Sequence, residues 1–111
     1  MAVDDDLANR LRERLAGEDG LTEKRMFGGL AFMLAGNMAV GISSTGELLV
    51  RVGPDATDAA LEDPHARLFD MGGRPMKGWI LVAPAAVEDD RALAAWVQRG
   101  VAFARSLPPK R

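Results

Sequence analysis

Leu7, Leu11 and Leu15 recur every four positions, with Asn9, Arg10, Arg12, Glu13 and Arg14 on the other faces. That spacing predicts an amphipathic helix from residue 4 to about 17. Asp4, Asp5 and Asp6 are placed to cap its start and to complement its dipole, and Gly17 and Gly20 to stop it. Adjacent helical positions point in different directions, so capping is a better reading of the three acids than a metal cluster.

The next stretch holds 21 uncharged residues from 26 to 46, long enough to span a bilayer as a helix. Its glycines, at 28, 29, 36, 41 and 46, oppose a helix, and its apolar residues alternate. Leu30, Phe32 and Leu34 share one face of a strand; Met38, Val40 and Ile42 share one face of the next. Gly36-Asn37 supplies the turn between them. A second turn, Ser43-Ser44-Thr45-Gly46, leads into ELLVRV, where Leu48, Val50 and Val52 point one way and Glu47, Leu49 and Arg51 the other. Short turns between successive strands predict an antiparallel meander.

Gly53-Pro54 ends that strand, and Asp55 can cap a short helix through Ala56, Ala59, Ala60 and Leu61, stopped by Asp63-Pro64. Residues 67–69 read as irregular. MGGRPMKGWILVAP reads as a loop followed by a nearly continuous apolar strand, 79–83, central in the sheet. From 89 to 107, Leu93, Trp96, Val97, Gly100, Val101 and Ala104 follow helical spacing, and Pro108-Pro109 ends the helix. The pattern predicts an α+β two-layer domain, an antiparallel sheet of about five or six strands against helices, ordered α-β(3,4)-α-β(2)-α.

Composition narrows the function classes. A chain of 111 residues suits one domain with one core. Its 14 basic and 16 acidic residues nearly cancel, which disfavours direct nucleic-acid binding. The absence of cysteine removes disulfides, thiol catalysis and thiolate metal sites, and fits a reducing cytoplasm. The acidic start MAVDDDLANR is unlike a secretory signal.

Candidate chemistry is sparse. His65, the one histidine, follows Pro64 in an expected surface turn, and Ser43, Ser44 and Ser106 lie outside any G-x-S-x-G elbow. Gly28-Gly29 and Gly72-Gly73 match neither the dinucleotide fingerprint nor, in GGRPMKG, the P-loop, so they read as bends. Trp79 and Trp96 lie on apolar periods and read as core anchors rather than stacking platforms. No catalytic group, metal or cofactor is expected. There remain basic residues beside glycine bends: Lys24 and Arg25, Arg51, Arg74 and Lys77. These can contact a partner's carboxylates or an anion, or form internal salt bridges.

At KRMFGG (24–29) and GRPMKGW (73–79) the sequence resembles the N-terminal domain of the TfoX/Sxy family of bacterial competence regulators. The likeness extends over nearly the whole chain: first helix, R-M-F-G-G into a hairpin, an L-x-V-R-V-type strand, G-R-P-M-K, and a last helix with a Trp. The resemblance implies a two-layer α+β fold like that of secretion chaperones. It also implies a regulator rather than an enzyme, since full-length members promote transcription of DNA-uptake genes together with the cyclic-AMP receptor protein. SLPPKR follows the last helix, so a single domain over 1–111 is expected, without the family's C-terminal helix-hairpin-helix domain.

The expectation is a cytoplasmic, non-enzymatic regulatory or adaptor domain that binds a protein, a transcription factor being one candidate, through its sheet face or basic loops. Arg25, Arg51, Arg74 and Lys77 are the candidate polar contacts, and Phe27, Gly28, Gly29, Met76 and Trp79 shape the loops. The alternative is a small-molecule or anion-binding domain using the same basic residues. An uncovered sheet face also makes a homodimer plausible.

Overall fold

The computed structural model describes residues 5–26, 28–71 and 73–109. The chain runs α1 (Asp5–Leu15), β1 (Leu21–Met26), β2 (Gly29–Leu34), β3 (Asn37–Ile42), β4 (Leu48–Arg51), α2 (Thr57–Ala60), β5 (Ala66–Met71), β6 (Arg74–Val82) and α3 (Asp90–Ser106). Short 3-10 turns precede α2 and α3, at Pro54–Ala56 and Pro84–Val87. All six strands pair antiparallel in the order β1-β2-β3-β4-β6-β5. The two-layer α+β class and the element order follow the sequence pattern.

One sheet face carries the helices. Leu7, Leu11 and Leu15 of α1 and Leu93, Trp96, Val97 and Val101 of α3 pack with Phe32, Val40, Leu48, Val50 and Ile80 from the strands. Trp96 is thus the core anchor its spacing predicts. Asp89 caps α3 by accepting a hydrogen bond from Ala92 N at 3.2 Å. Gly100 sits where α3 crosses β3: a Cβ there would lie 2.4 Å from the Ala39 carbonyl oxygen, so the close approach requires glycine. Ion pairs tie the helices down, Arg10 to Asp90 and Arg105 to Glu18, each at 2.9 Å.

The long uncharged stretch forms β2 and β3, and no helix among the described residues is long and apolar enough to cross a membrane. Its turn lies one residue earlier than expected. Ala35 and Gly36 both take positive φ (51° and 84°), as a two-residue type I′ hairpin loop demands. Asn37 is therefore the buried first residue of β3, and its Nδ2 donates to the Pro108 carbonyl at 2.9 Å. A bulge follows: Phe32 pairs with Val40 and Met33 with Met38, leaving Ala39 as an extra residue. Met38 consequently turns to the face opposite Val40 and Ile42, against the simple alternation expected.

Three further expectations change. Asp55 makes no cap hydrogen bond; instead the buried Thr57 hydroxyl donates to the Gly53 carbonyl at 2.9 Å. Residues 67–69 are the middle of β5, whose single apolar stripe was too short to stand out. β6 begins at Arg74, well before Trp79, and lies next to the β5 edge, while β3 and β4 occupy the centre. Asp4, Phe27 and Gly72 lie outside the described residues.

Candidate functional site

The strand positions that alternate away from the helices form a second apolar cluster. Ala31, Met38, Leu49 and Leu81 are its buried members, and Met26, Met33, Phe69 and Trp79 pack around them half-buried. Every one of these residues comes from a strand, so this cluster is held by the sheet alone.

A groove of about 360 Å³ crosses that face, and residues from both edge strands line it: Met26 of β1, and Phe69 and Asp70 of β5. In a flat six-stranded sheet the edges would stand about 24 Å apart, at about 4.8 Å per strand. A large irregularity in the β5/β6 hairpin explains how they come to share one groove. Leu68 pairs with Ile80 and Phe69 with Met76, so Lys77, Gly78 and Trp79 are extra residues on β6. Such a bulge bends and twists its strand. Gly78, at φ 92°, accepts from both Val52 N (2.9 Å) and Gly53 N (3.2 Å), which anchors the bend to the end of β4. Beyond it, Phe69 and Asp70 in the outer half of the hairpin line the groove.

The opposite wall is shaped by the other glycine pair. Gly28 takes φ 76° at the β1/β2 turn, and a Cβ on Gly29 would lie 2.1 Å from the Ile42 carbonyl oxygen. Only glycine lets β2 run that close to the end of β3. KRMFGG and GRPMKGW, about fifty positions apart in the chain, are thereby brought to one groove: Met26 and Gly29 from the first motif and Trp79 from the second line it.

The candidate residues fall into three groups. Gly29 and Trp79 line the groove. Arg51, the register partner of Trp79, is stacked with its guanidinium carbon 4.9 Å from the Trp79 ring centroid and 5.2 Å from that of Phe103 on α3. Arg25, Arg74 and Lys77 are exposed and do not line the groove. Arg25 lies on the helix side of β1, with Leu21, which joins the main core, and Glu23, which binds Arg12 of α1. The neighbouring Lys24 shares the open side with Met26. Met76, half-buried, pairs with Phe69 beyond the bulge.

Among the described residues no ion pair engages these cations, although Arg25 acts on the Glu23 carboxylate through space. Among the described residues the ion pairs are Arg10–Asp90, Arg12–Glu23, Arg67–Glu47 and Arg105–Glu18. None includes Lys24, Arg25, Arg51, Arg74 or Lys77. The Arg67–Glu47 pair borders the open face: Arg67 Nη2 donates to Glu47 Oε1 at 2.7 Å, and the Thr45 hydroxyl donates to the same oxygen. The hydrogen bond from Arg67 holds the Glu47 carboxyl below its ordinary pKa against the opposing effect of burial, and raises that of Arg67. Arg12 does the same for Glu23 on the helix side.

Polar groups in the groove lining are few. Ser43 Oγ is engaged by Thr45 and by Glu47 N, and Asp70 Oδ1 accepts from Gly73 N at 2.7 Å. Ser44 completes the set, and no histidine lines the groove. His65 sits exposed in the turn before β5, its backbone N–H donating to Asp63 at 2.8 Å.

No curated protein and no solved structure matches the chain significantly. The TfoX N-terminal domain, however, matches residues 13–104, which takes in every strand and nearly all of α3. With both motifs converging on one groove inside that match, the chain belongs to the TfoX N-terminal domain family.

Proposed function

We propose that this protein is a non-enzymatic regulatory or adaptor domain of the TfoX type, acting in the cytoplasm by holding a protein partner in the groove on the open face of its sheet. A transcription regulator is the class of partner that the family resemblance suggests, with competence as the process. The observation that carries the reading is the meeting of the two family motifs on an apolar groove. A contiguous apolar face of this kind marks an interaction surface, and methionine-rich linings adapt to a partner's side chains. A groove whose polar lining is two serines and one carboxylate, with the Ser43 hydroxyl and Asp70 already hydrogen-bonded within the protein, favours binding over catalysis.

The experiment is affinity capture from the native host, comparing the wild-type chain with Met26→Glu, which sets a charge at a half-exposed groove position. A specific protein recovered by the wild type and lost with the variant, at an unchanged melting temperature, is the expected result. Recovery of the same proteins by both, or of none by either, counts against the reading.

A second reading is favoured by the groove's size, which falls in the range of small-ligand pockets. Since Arg25, Arg51, Arg74 and Lys77 do not line it, the ligand would be apolar rather than a bare anion. Quenching of Trp79 by small apolar compounds, with no capture of a protein, would favour this alternative.

A further inference from the structure

We infer that the groove takes one acidic amphipathic helix, contributed by the partner. This deepens the protein-binding reading above and rests on it. The first argument concerns the backbone. The groove lies across the face of β2, β3, β4 and β6, all interior strands whose main-chain groups are committed to neighbours on both sides. The edge strands β1 and β5 reach the groove only at its two walls, so a segment lying along its floor finds no ladder to join and must satisfy its own N–H and C=O groups, which a helix does and a strand does not. At about 360 Å³ the groove has room for a few apolar side chains, as many as one helix presents at i, i+3 or i+4, and i+7.

The second argument is charge. Lys24 stands two residues from Met26 on the same side of β1, and Arg74 and Lys77 are exposed on the bent hairpin that forms the other wall. None has an ion-pair partner among the described residues. Of the nearby carboxylates, Glu47 is neutralised by Arg67, while Asp70 accepts from the Gly73 N–H, which does not cancel its charge. The rim therefore carries three cations with no ion-pair partner among the described residues against the one carboxylate of Asp70. That net positive edge around an apolar floor is complementary to a helix with leucine-type anchors on one face and acids flanking them. The same charges count against a second copy, since a two-fold pairing of these faces would set one basic rim against another. They would suit phosphates, but the lining sets only two rings, Phe69 and Trp79, and the carboxylate of Asp70 among methionine, leucine and alanine, where single-stranded nucleic acid takes a row of stacking rings free of anions.

Two synthetic helical peptides of about 14 residues test this, with the same leucine stripe and either glutamate or lysine elsewhere. Trp79 emission reports occupancy, with Trp96 buried in the main core as a constant background. The acidic peptide is expected to shift that emission saturably and to bind at least about tenfold more tightly than the basic one. Raising salt from about 0.05 M to about 0.5 M should shrink the difference. The double variant Lys24→Glu/Lys77→Glu should reverse the preference. Should it fail to fold by circular dichroism, the salt dependence of the wild type decides alone.

Equal binding of both peptides, binding of neither, or an unaltered preference in the folded variant overturns the inference. So does displacement of the acidic peptide by oligothymidylate at equal concentration, which would point to nucleic acid. If both peptides fail while Met26→Glu still loses a captured protein, the acidic helix is wrong and the protein-binding reading stands. If the acidic peptide binds as described but the host yields no partner, the groove chemistry stands and the cellular reading falls.

Discussion

The two faces of this sheet are built from alternate residues of the same strands, yet they differ in kind. On the helical face Phe32, Val40, Leu48 and Ile80 are fully shielded by α1 and α3. On the open face Ala31, Met38, Leu49 and Leu81 are also at least nine-tenths shielded, but only by strand neighbours and the bent hairpin. The first face uses branched aliphatics and a phenylalanine, whose shapes interlock with the helices. The second is rimmed by methionines, whose unbranched chains tolerate different neighbours. One face is covered by a helical layer, whereas the other is packed by strands alone. On the proposed reading, the contrast separates residues that stabilise the fold from those that would meet a partner.

The sharpest way to break this contrast is to truncate one residue on each face. Phe32→Ala should lower stability by about 3–5 kcal/mol in urea denaturation, since a large buried ring leaves a cavity under the helices. Met33→Ala, half-buried on the open side of the same strand, should cost about 1 kcal/mol or less. Equal losses would make the open face a second core, and the groove reading would fail. Next in size is Gly100→Ala. Its new methyl would meet the Ala39 carbonyl and Val40 Cγ1 at 2.4 and 2.7 Å, forcing α3 off β3. A loss of about 1–3 kcal/mol is expected, with little effect on peptide binding at the far face.

Periodicity makes the helical face legible. Leu7, Leu11 and Leu15, the six spaced residues of α3, and the Leu48-Val50-Val52 stripe all lie where spacing places them, because a face buried against one layer leaves a regular trace. The open face was only half legible. Its β4 members, Leu49 and Arg51, follow from alternation, but Met38 arrives through a bulge and Trp79 through a three-residue irregularity. Neither has a local sequence signature beyond glycines whose role depends on distant backbone: Gly29 on Ile42, Gly78 on Gly53. The groove joins β1 to β5, the two ends of the sheet order, and pairing at that range leaves no periodic mark. The repeated basic-plus-glycine motifs signalled that something was there. They did not reveal that Lys24, rather than Arg25, shares the open side.

Arg51 sharpens the comparison because it touches both sides. Its guanidinium lies between Trp79, which lines the groove, and Phe103, which belongs to α3. Arg51→Ala should therefore cost about 1 kcal/mol from two ring contacts, a visible fall in melting temperature where a residue serving only a partner would show none. Arg51→Lys keeps the charge but loses the planar stacking surface. It should recover less than half of that loss, and the red-shifted Trp79 emission of the alanine variant should persist.

The smallest expected effect compares one ion pair on each face. Glu23 and Glu47 both have carboxyl pKa values lowered from 4.5, in each case chiefly by the hydrogen bond from an arginine. A carboxylate whose folded-state pKa is depressed stabilises the fold above its unfolded value and loses that contribution as pH falls through the folded value. Stability should thus be flat near neutrality and decline below about pH 4.5. The Glu47 side chain is 12% exposed and that of Glu23 35%, so solvent screens the helix-side pair more. Glu47→Gln should remove about 0.5–1 kcal/mol at pH 7 and flatten the acid limb, and Glu23→Gln less than about 0.5 kcal/mol. Urea midpoints at pH 7 and pH 3.5 check both. The reverse order would mean that the turn bordering the groove is held by its Ser43 and Thr45 hydrogen bonds rather than by Arg67, leaving the β5 edge able to move when the groove is filled.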